Sequence, residues 1–171
     1  MNVPRGLKEI IATYGQPGTN IVRTALPWPF RLAWDTAITV NSISVHRLVV
    51  HDLLSILHAL WNHERLAVKQ EVGFDTYSTV EYDTLTLKRI QADGLDLFGG
   101  AFNYRVKVGS SKKLSTHSWG IAIDLDPVHN PYGKKGTMPD WVIEIFLERG
   151  FTWGGKWRTP DPMHFARCSG Y

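Results

Sequence analysis

The chain has 171 residues, of which 43% are hydrophobic and 20% are charged, and its formal net charge is +3. This composition predicts one globular domain over residues 1–171 and excludes a disordered chain, which would have fewer apolar residues and a larger net charge. Its one cysteine, Cys168, excludes an internal disulfide and a metal cluster built from thiolates. We divide the domain into an N-terminal helical and strand part, residues 1–94, and a core, residues 95–171.

In the N-terminal part, apolar residues recur first at helical spacing and then in strand-like runs. Residues 4–14 predict a short helix that ends at Gly15, and residues 16–29 predict a loop or an extended arm. Residues 31–45 predict one or two strands with a turn near Asn41 and Ser42. The clearest helix spans residues 45–61. Residues 64–86 leave the choice between helix and strand open, with a candidate strand at residues 81–85.

Glycines and short apolar alternations between residues 95 and 126 predict strands and turns. Residues 137–149 predict a second helix, with Thr137 and Asp140 as a capping box and Gly150 as its end. Residues 151–171 return to strands and loops. Helices interleaved with strand pairs predict an α+β fold with a central antiparallel sheet.

Two polar clusters interrupt the apolar pattern, at residues 115–124 and 161–164. A catalytic zinc site uses three protein ligands and leaves a fourth position for water. His117, Asp124 and His164 supply two imidazoles and one carboxylate. His117 and Asp124 are seven residues apart, which in a straight strand places them on opposite faces unless a turn at Gly120 resets the phase. A helix would also align them, although the β-branched residues that follow Gly120 favour a strand.

Two further residues complete a hydrolytic set. Asp161 lies three residues before His164, between two prolines that keep it extended, where it can act as general base on a bound water. Arg105 is the candidate cation for an oxyanion on the substrate carbonyl. Asp126 and His129 could compete with Asp124 as ligands, but Asp126 followed by proline favours a surface turn.

The order of these motifs resembles the VanY-like zinc D-alanyl-D-alanine carboxypeptidases and especially their relatives, the phage L-alanyl-D-glutamate endolysins. The resemblance covers residues 95–165. It rests on four motifs, in this order: Asn103-Tyr-Arg105, Ser115-x-His117-x-x-Gly120-x-Ala122-x-Asp124, Trp153-Gly-Gly-x-Trp157 and Asp161-x-x-His164-Phe165.

The resemblance implies a small α+β domain with a central antiparallel sheet, shared with hedgehog signalling domains. It implies a metal-site core that holds Zn²⁺, Asp161 as the base, and Arg105 as the oxyanion or substrate-binding cation. It also implies that Ser115 holds substrate by a hydrogen bond, and that the metal ligands are His117, Asp124 and His164. One departure is visible: many relatives carry Glu after His-Phe, whereas this chain has Ala166. If that Glu supports a histidine ligand, another group must do so here.

Other histidines and the tryptophans receive structural interpretations. His51, His58 and His63 lie on the long predicted helix without ligand spacing and are interpreted as solvated or structural. Four tryptophans are predicted to pack the core around the site: Trp119, Trp141, Trp153 and Trp157. Trp28 and Trp34 are the candidates for contact with a glycan.

These implications predict a zinc peptidase of bacterial peptidoglycan stem peptides, of the phage-lysis type that cuts L-Ala–D-Glu. A D-alanyl-D-alanine carboxypeptidase and a non-catalytic wall-binding module of the same fold are the alternatives. No dense Lys/Arg run predicts nucleic-acid binding, and no long apolar run predicts membrane insertion. We expect a monomer that is made in the cytoplasm without a signal peptide. It would act on the cell wall after release, through a holin if it is phage-encoded.

Overall fold

Across residues 2–171, which are those that the computed structural model describes, six strands form one sheet in the spatial order β2-β1-β3-β4-β6-β5. Neighbouring strands are antiparallel except β1 and β3, which run parallel. The strands are β1 Ile21–Leu32, β2 Asp35–His46, β3 Leu97–Gly100, β4 Ala122–Leu125, β5 Thr152–Trp153 and β6 His164–Ala166.

Four α-helices in the same described range flank the sheet: α1 Gly6–Tyr14, α2 Val50–Val72, α3 Thr79–Ala92 and α4 Asp140–Glu148. The longest helix, α2, buries an apolar face against β1, α3 and α4. One hydrophobic core joins elements before and after residue 94, from Ile10 in α1 to Phe146 in α4 and Phe165 in β6. The α+β prediction is confirmed. None of the helices within residues 2–171 is both long and apolar enough to cross a membrane.

The N-terminal strands differ from the prediction. The loop predicted for residues 16–29 is wrong from Ile21 onward, because β1 starts there. Pro27 and Pro29 lie within β1, and they cannot donate to a ladder. The strand tolerates them because its pairing with β2 shifts register between Ala25 and Phe30. The turn predicted near Asn41 and Ser42 is also wrong, since β2 is continuous there and the hairpin turns at residues 33–34.

The three predicted helices are present, but their ends differ from the prediction. The first helix is confirmed, with Gly15 as its C-cap. The second starts at Val50 rather than at residue 45 and continues to Val72. The candidate strand at residues 81–85 is wrong because Ser78 and Glu81 form a capping box that starts α3. The capping box predicted at Thr137 is also wrong: Pro139 is the N-cap of α4, and the Thr137 amide donates to the Asn130 side chain.

Gly120 joins the N-terminal strands to the segment of the first polar cluster. Its backbone has φ 65°, and its amide donates to the His117 carbonyl, which closes a 3₁₀ turn over Thr116–Trp119. Its carbonyl accepts from the His46 amide at the end of β2. A Cβ at this position would lie 2.8 Å from the His46 backbone nitrogen. Glycine is therefore required twice, for the left-handed conformation and for the close approach.

The substitution Gly120→Ala tests this requirement, with Gly109→Ala as its matched control. Both glycines have positive φ, but a Cβ at Gly109 would meet nothing within 4 Å. We expect Gly109→Ala to lower the free energy of unfolding by about 1–2 kcal/mol through backbone strain alone. Gly120→Ala should lose roughly 1–3 kcal/mol more, from the added steric contact. Urea unfolding measures both, and equal losses would contradict the close approach at Gly120.

Candidate metal centre

The sheet and the 3₁₀ turn bring three predicted ligands together. Asp124 in β4 and His164 in β6 are direct cross-strand partners. His117 lies in the 3₁₀ turn, not in a strand, and Gly120 ends this turn two residues before β4 begins at Ala122. The turn at Gly120 is thus what overcomes the odd spacing of His117 and Asp124. A Cβ at Gly99 in β3 would lie 2.9 Å from the Asp124 Cβ, so the neighbouring strand also leaves room for this carboxylate.

The three side chains form a buried group whose ligand atoms lie within 4.8 Å of one another. His117 Nε2 is 3.2 Å from His164 Nδ1, and the Asp124 carboxylate is 2.8 Å from His164 Nδ1 and 3.1 Å from His117 Nε2. Ligands about 2.0–2.1 Å from a tetrahedral zinc ion stand about 3.3 Å apart. The spacing of these atoms therefore fits a zinc ion or a similar metal at their centre.

Hydrogen bonds on the far side of each ring orient both histidines. His117 Nδ1 is 2.5 Å from the Ala101 carbonyl oxygen, which can only accept, so Nδ1 carries the proton and Nε2 turns a lone pair inward. His164 Nε2 is 3.1 Å from the Thr116 hydroxyl, and His164 Nδ1 faces the other ligands. The inner nitrogen of His164 can carry a proton or a lone pair, since the Thr116 hydroxyl can accept or donate. The two inner nitrogens and the carboxylate can therefore share a proton in the metal-free protein or bind a metal in its place.

The shifts in the pKa values of His117 and Asp124 also indicate that the group favours a positive charge. Burial on its own lowers the pKa of His117, but the charge and hydrogen bond of Asp124 outweigh burial and raise it. Burial alone would raise the pKa of Asp124, but His117 and His164 hold it well below its usual range. Without a metal, the group retains a proton; with one, the metal takes that position.

Thr116 is the residue that sequence reasoning missed. The relatives' Glu after His-Phe has no counterpart here: Ala166 is buried in β6 between Ala122 of β4 and Thr152 of β5, with no polar side chain to offer. The Thr116 hydroxyl instead contacts the outer nitrogen of His164. The sequence signal for Thr116 is its position directly before His117. This signal does not single it out, because many other Ser and Thr residues are equal candidates for the support of a histidine.

Asp161 lies in the turn that precedes β6. Its amide donates to the Gly154 carbonyl, and its carbonyl accepts from the His164 amide, which fixes the turn against the ligand. The side-chain Oδ1 is buried and has no hydrogen-bond partner among residues 2–171. Burial raises the pKa of this carboxyl, while the charge of His164 opposes the rise. A buried, unpaired carboxylate oxygen beside the cluster is what a base that meets a water would present.

Arg105 is tied to the 3₁₀ turn by its backbone. Its amide and carbonyl both bond the Ser118 hydroxyl, and the carbonyl also accepts from the Ser115 amide. The guanidinium bonds weakly to the Val106 carbonyl, at 3.4 Å, and forms no ion pair within residues 2–171. Its charge lowers the pKa of both His117 and Asp161. The cation is therefore close enough to influence the cluster while it keeps its donors available.

Two cavities flank the cluster. The His164 cavity, of about 370 Å³, is lined by His164 together with Lys107, Ser115, Thr116, Trp157 and Tyr171. The Asp124 groove, of about 380 Å³, is lined by Asp124 with Trp34, Pro127 and Val128. Ser115 lines the His164 cavity, and its role in holding substrate stays a prediction. Cys168 also borders the His164 cavity, and burial raises the pKa of its thiol to about 12, which keeps it protonated.

The tryptophans divide differently from the prediction. Trp28 is only 3% exposed and packs in the core on Phe30 and Trp61, so its assignment to glycan contact is wrong. Trp34 is 68% exposed at the β1–β2 turn and keeps that assignment as a prediction. Trp119 is buried as predicted, whereas Trp157 is 41% exposed and forms a wall of the His164 cavity.

The other candidate ligands lie outside the cluster. Asp126 starts the predicted turn, because its carbonyl accepts from the Asn130 amide, but its own side chain is buried and not on the surface. Its carboxylate bonds His129 and Asn130 and orders the loop after β4. His51 and His58 are exposed on α2, and His63 stacks on Trp141 with ring centroids 3.9 Å apart. None of these residues belongs to the metal-binding group found within residues 2–171.

Thr116→Val should weaken metal binding, because it removes the hydroxyl that fixes His164 while nearly preserving volume. Loss of such a contact typically lowers metal affinity about 10- to 100-fold. Thr116→Ser keeps the hydroxyl and should bind zinc like the wild type. Competition with a chromophoric chelator measures the three affinities. Equal values for all three proteins would exclude Thr116 from the support of the ligand.

Stability should depend on pH and zinc together. The pKa of His117 is raised on folding, so in the metal-free protein its contribution is fully present below about pH 6.5 and is lost as the pH rises through the raised value. The lowered pKa of Asp124 keeps the carboxylate ionised throughout this range. Zinc replaces the lost proton, so the zinc-induced increase in Tm should be larger near about pH 8 than near about pH 5.5. Equal increases would contradict a shared proton and metal position.

Comparison with known proteins supports the motif interpretation. Residues 108–167 match the family model described as D-alanyl-D-alanine carboxypeptidase, a little over one third of the chain, and this confirms the VanY-like resemblance. No curated protein and no solved structure matches the chain. The matched segment contains Ser115, His117, Asp124, Asp161 and His164; Arg105 lies just before it. The match over these residues indicates a peptidase, a hydrolase, and the buried His-Asp-His group within them could bind a metal.

Proposed function

We propose that the protein is a zinc-dependent endopeptidase that hydrolyses the L-Ala–D-Glu bond in the stem peptides of bacterial peptidoglycan. The observation that carries the proposal is the convergence of two imidazole nitrogens and the Asp124 carboxylate in one buried group, beside an unpaired buried carboxylate oxygen on Asp161. The first feature suits a metal and the second suits a proton acceptor. Together they supply the metal site and the proton acceptor that metal-assisted peptide hydrolysis requires.

His117 Nε2, His164 Nδ1 and the Asp124 carboxylate would hold the zinc ion. Bound there, zinc would lower the pKa of a water molecule to about 7 and polarise the scissile carbonyl. The protein supplies the orientation of the ligands through Ala101 and Thr116, and it supplies the low-polarity surroundings through the burial of all three ligands.

Asp161 would accept the proton of the attacking water and then return it to the leaving amine. Its raised pKa suits both steps, because a carboxyl closer to neutrality gives up and accepts a proton more readily near working pH. Arg105 would donate hydrogen bonds to the oxygen anion that forms on the substrate carbonyl. Ser115 would hold the substrate in the His164 cavity beside the reacting bond.

The two cavities favour an endopeptidase. A substrate chain that continues on both sides of the cut bond needs space for two segments, and the His164 cavity and the Asp124 groove each border one of the proposed ligands. The second candidate is a D-alanyl-D-alanine carboxypeptidase, which the description of the matching family names. A non-catalytic wall-binding module would have no use for the unpaired Asp161 oxygen.

Digestion of purified sacculi tests the proposal. Zinc-loaded protein should release fragments with new N-terminal D-Glu, identified by mass spectrometry, and a chelator should stop the release. The matched control is Asp161→Asn, which keeps all three ligands. It should bind zinc with wild-type affinity and lose roughly 10²–10⁴-fold in turnover.

Each of the other possible results of this digestion would change one part of the proposal. Release of terminal D-Ala alone would establish the carboxypeptidase alternative. Full activity of Asp161→Asn would remove Asp161 from the proton transfer. If folded, zinc-loaded protein cuts nothing in sacculi, the hydrolytic proposal fails and the wall-binding module becomes the better explanation.

A further inference from the structure

The His164 cavity contains a lysine that the proposed hydrolytic machinery does not use. Lys107 lies on a small hairpin closed by the Val106–Leu114 bridge, and its amide donates to the Lys113 carbonyl at 2.8 Å. Its ammonium stands 4.1 Å from the centroid of the Tyr171 ring, on the cavity wall. The hairpin and the ring together hold this cation at a defined place relative to His164.

The ammonium of Lys107 is partly removed from water and lacks a counter-ion. Its side chain is half-buried, and burial lowers its pKa. Within residues 2–171 it forms no ion pair, and no carboxylate side chain lines the cavity. The hydroxyls of Ser115 and Thr116 line the same cavity. A partly desolvated ammonium that contacts the Tyr171 ring but has no carboxylate partner favours an anionic ligand.

We propose that Lys107 forms a subsite for a free carboxylate on the substrate residue that supplies the scissile nitrogen. The inference rests on the proposed function. In a stem peptide, D-Glu continues the chain through its γ-carboxyl, so its α-carboxylate stays free on the carbon next to the scissile nitrogen. The acyl side, a lactyl group followed by L-Ala, carries no carboxylate. The anion that Lys107 can bind is therefore on the leaving side.

This assignment gives the substrate a direction. The leaving residue occupies the His164 cavity, and the acyl side lies in the Asp124 groove, where Trp34 is exposed. It also gives a chemical specificity. Stem peptides whose D-Glu α-carboxylate is amidated present a neutral group to Lys107, and such a group cannot form the charge-assisted hydrogen bond. The protein should therefore discriminate between free-acid and amidated stem peptides.

Calorimetric titration with product-side peptides tests the subsite directly. The probes are D-Glu-γ-L-Lys with a free α-carboxylate and the same peptide with an α-carboxamide. Zinc-loaded wild-type protein should bind the acid at least about tenfold more tightly than the amide. Lys107→Met should abolish this preference, and Lys107→Arg should retain part of it. Lys88→Met, which removes an exposed lysine on α3, is the matched control and should leave the preference unchanged.

The binding measurements test the Lys107 subsite, and the cleavage measurements test the proposed function. Equal affinity of the wild type for acid and amide, no measurable binding of the acid, or an unchanged preference in Lys107→Met would overturn the Lys107 subsite. Thermal unfolding of each variant checks that it is folded. Hydrolysis of L-Ala-D-Glu-γ-L-Lys and its amide is measured on the same proteins. Cleavage of both at equal rates leaves the endopeptidase standing without the subsite, whereas cleavage of neither contradicts the proposed function itself.

Discussion

The close, buried arrangement of His117, His164 and Asp124 is the constraint on which the rest of this structure depends. The inner nitrogens of His117 and His164 and the Asp124 carboxylate stand 2.8–3.2 Å apart. Water does not screen the negative charge of this buried carboxylate, so the arrangement needs positive charge, from a proton on an imidazole or from a metal. The pairing of β4 with β6 and the turn at Gly120 are the backbone features that impose this arrangement.

The surroundings fix the arrangement from outside. The Ala101 carbonyl and the Thr116 hydroxyl occupy the outer nitrogens, so neither ring can rotate without breaking a bond. Thr116 precedes His117 in the chain yet supports His164, which couples the two polar clusters across the sheet. Ala166 has no polar side chain that could support His164, and Thr116 in the 3₁₀ turn contacts His164 instead.

The α+β class could be predicted from the sequence, whereas several local boundaries could not. The ligand roles of His117, Asp124 and His164 stay predictions; their choice as candidates follows from residue chemistry and from the motif resemblance. The adjacency of Asp124 and His164 does not, because they are 40 residues apart and the strand pairing is a tertiary fact. Prolines within β1 concealed a strand that a register shift accommodates. The prediction of glycan contact for Trp28 is wrong because a local sequence with an aromatic residue between prolines does not indicate whether the side chain is exposed or lies in the core.

The two cavities bear on the choice between endopeptidase and carboxypeptidase more than Lys107 does. Both substrates present a free carboxylate next to the scissile nitrogen, so a cation in the His164 cavity suits either. They differ beyond that carboxylate, because a terminal D-Ala ends there, whereas D-Glu continues through its side chain. A single methyl side chain would leave most of a cavity of about 370 Å³ empty. Under the proposed function, a continuing chain would fill it and pass Trp157, which is 41% exposed, and the acyl side would lie in the Asp124 groove. The size of the cavity on the leaving side therefore favours the residue that continues.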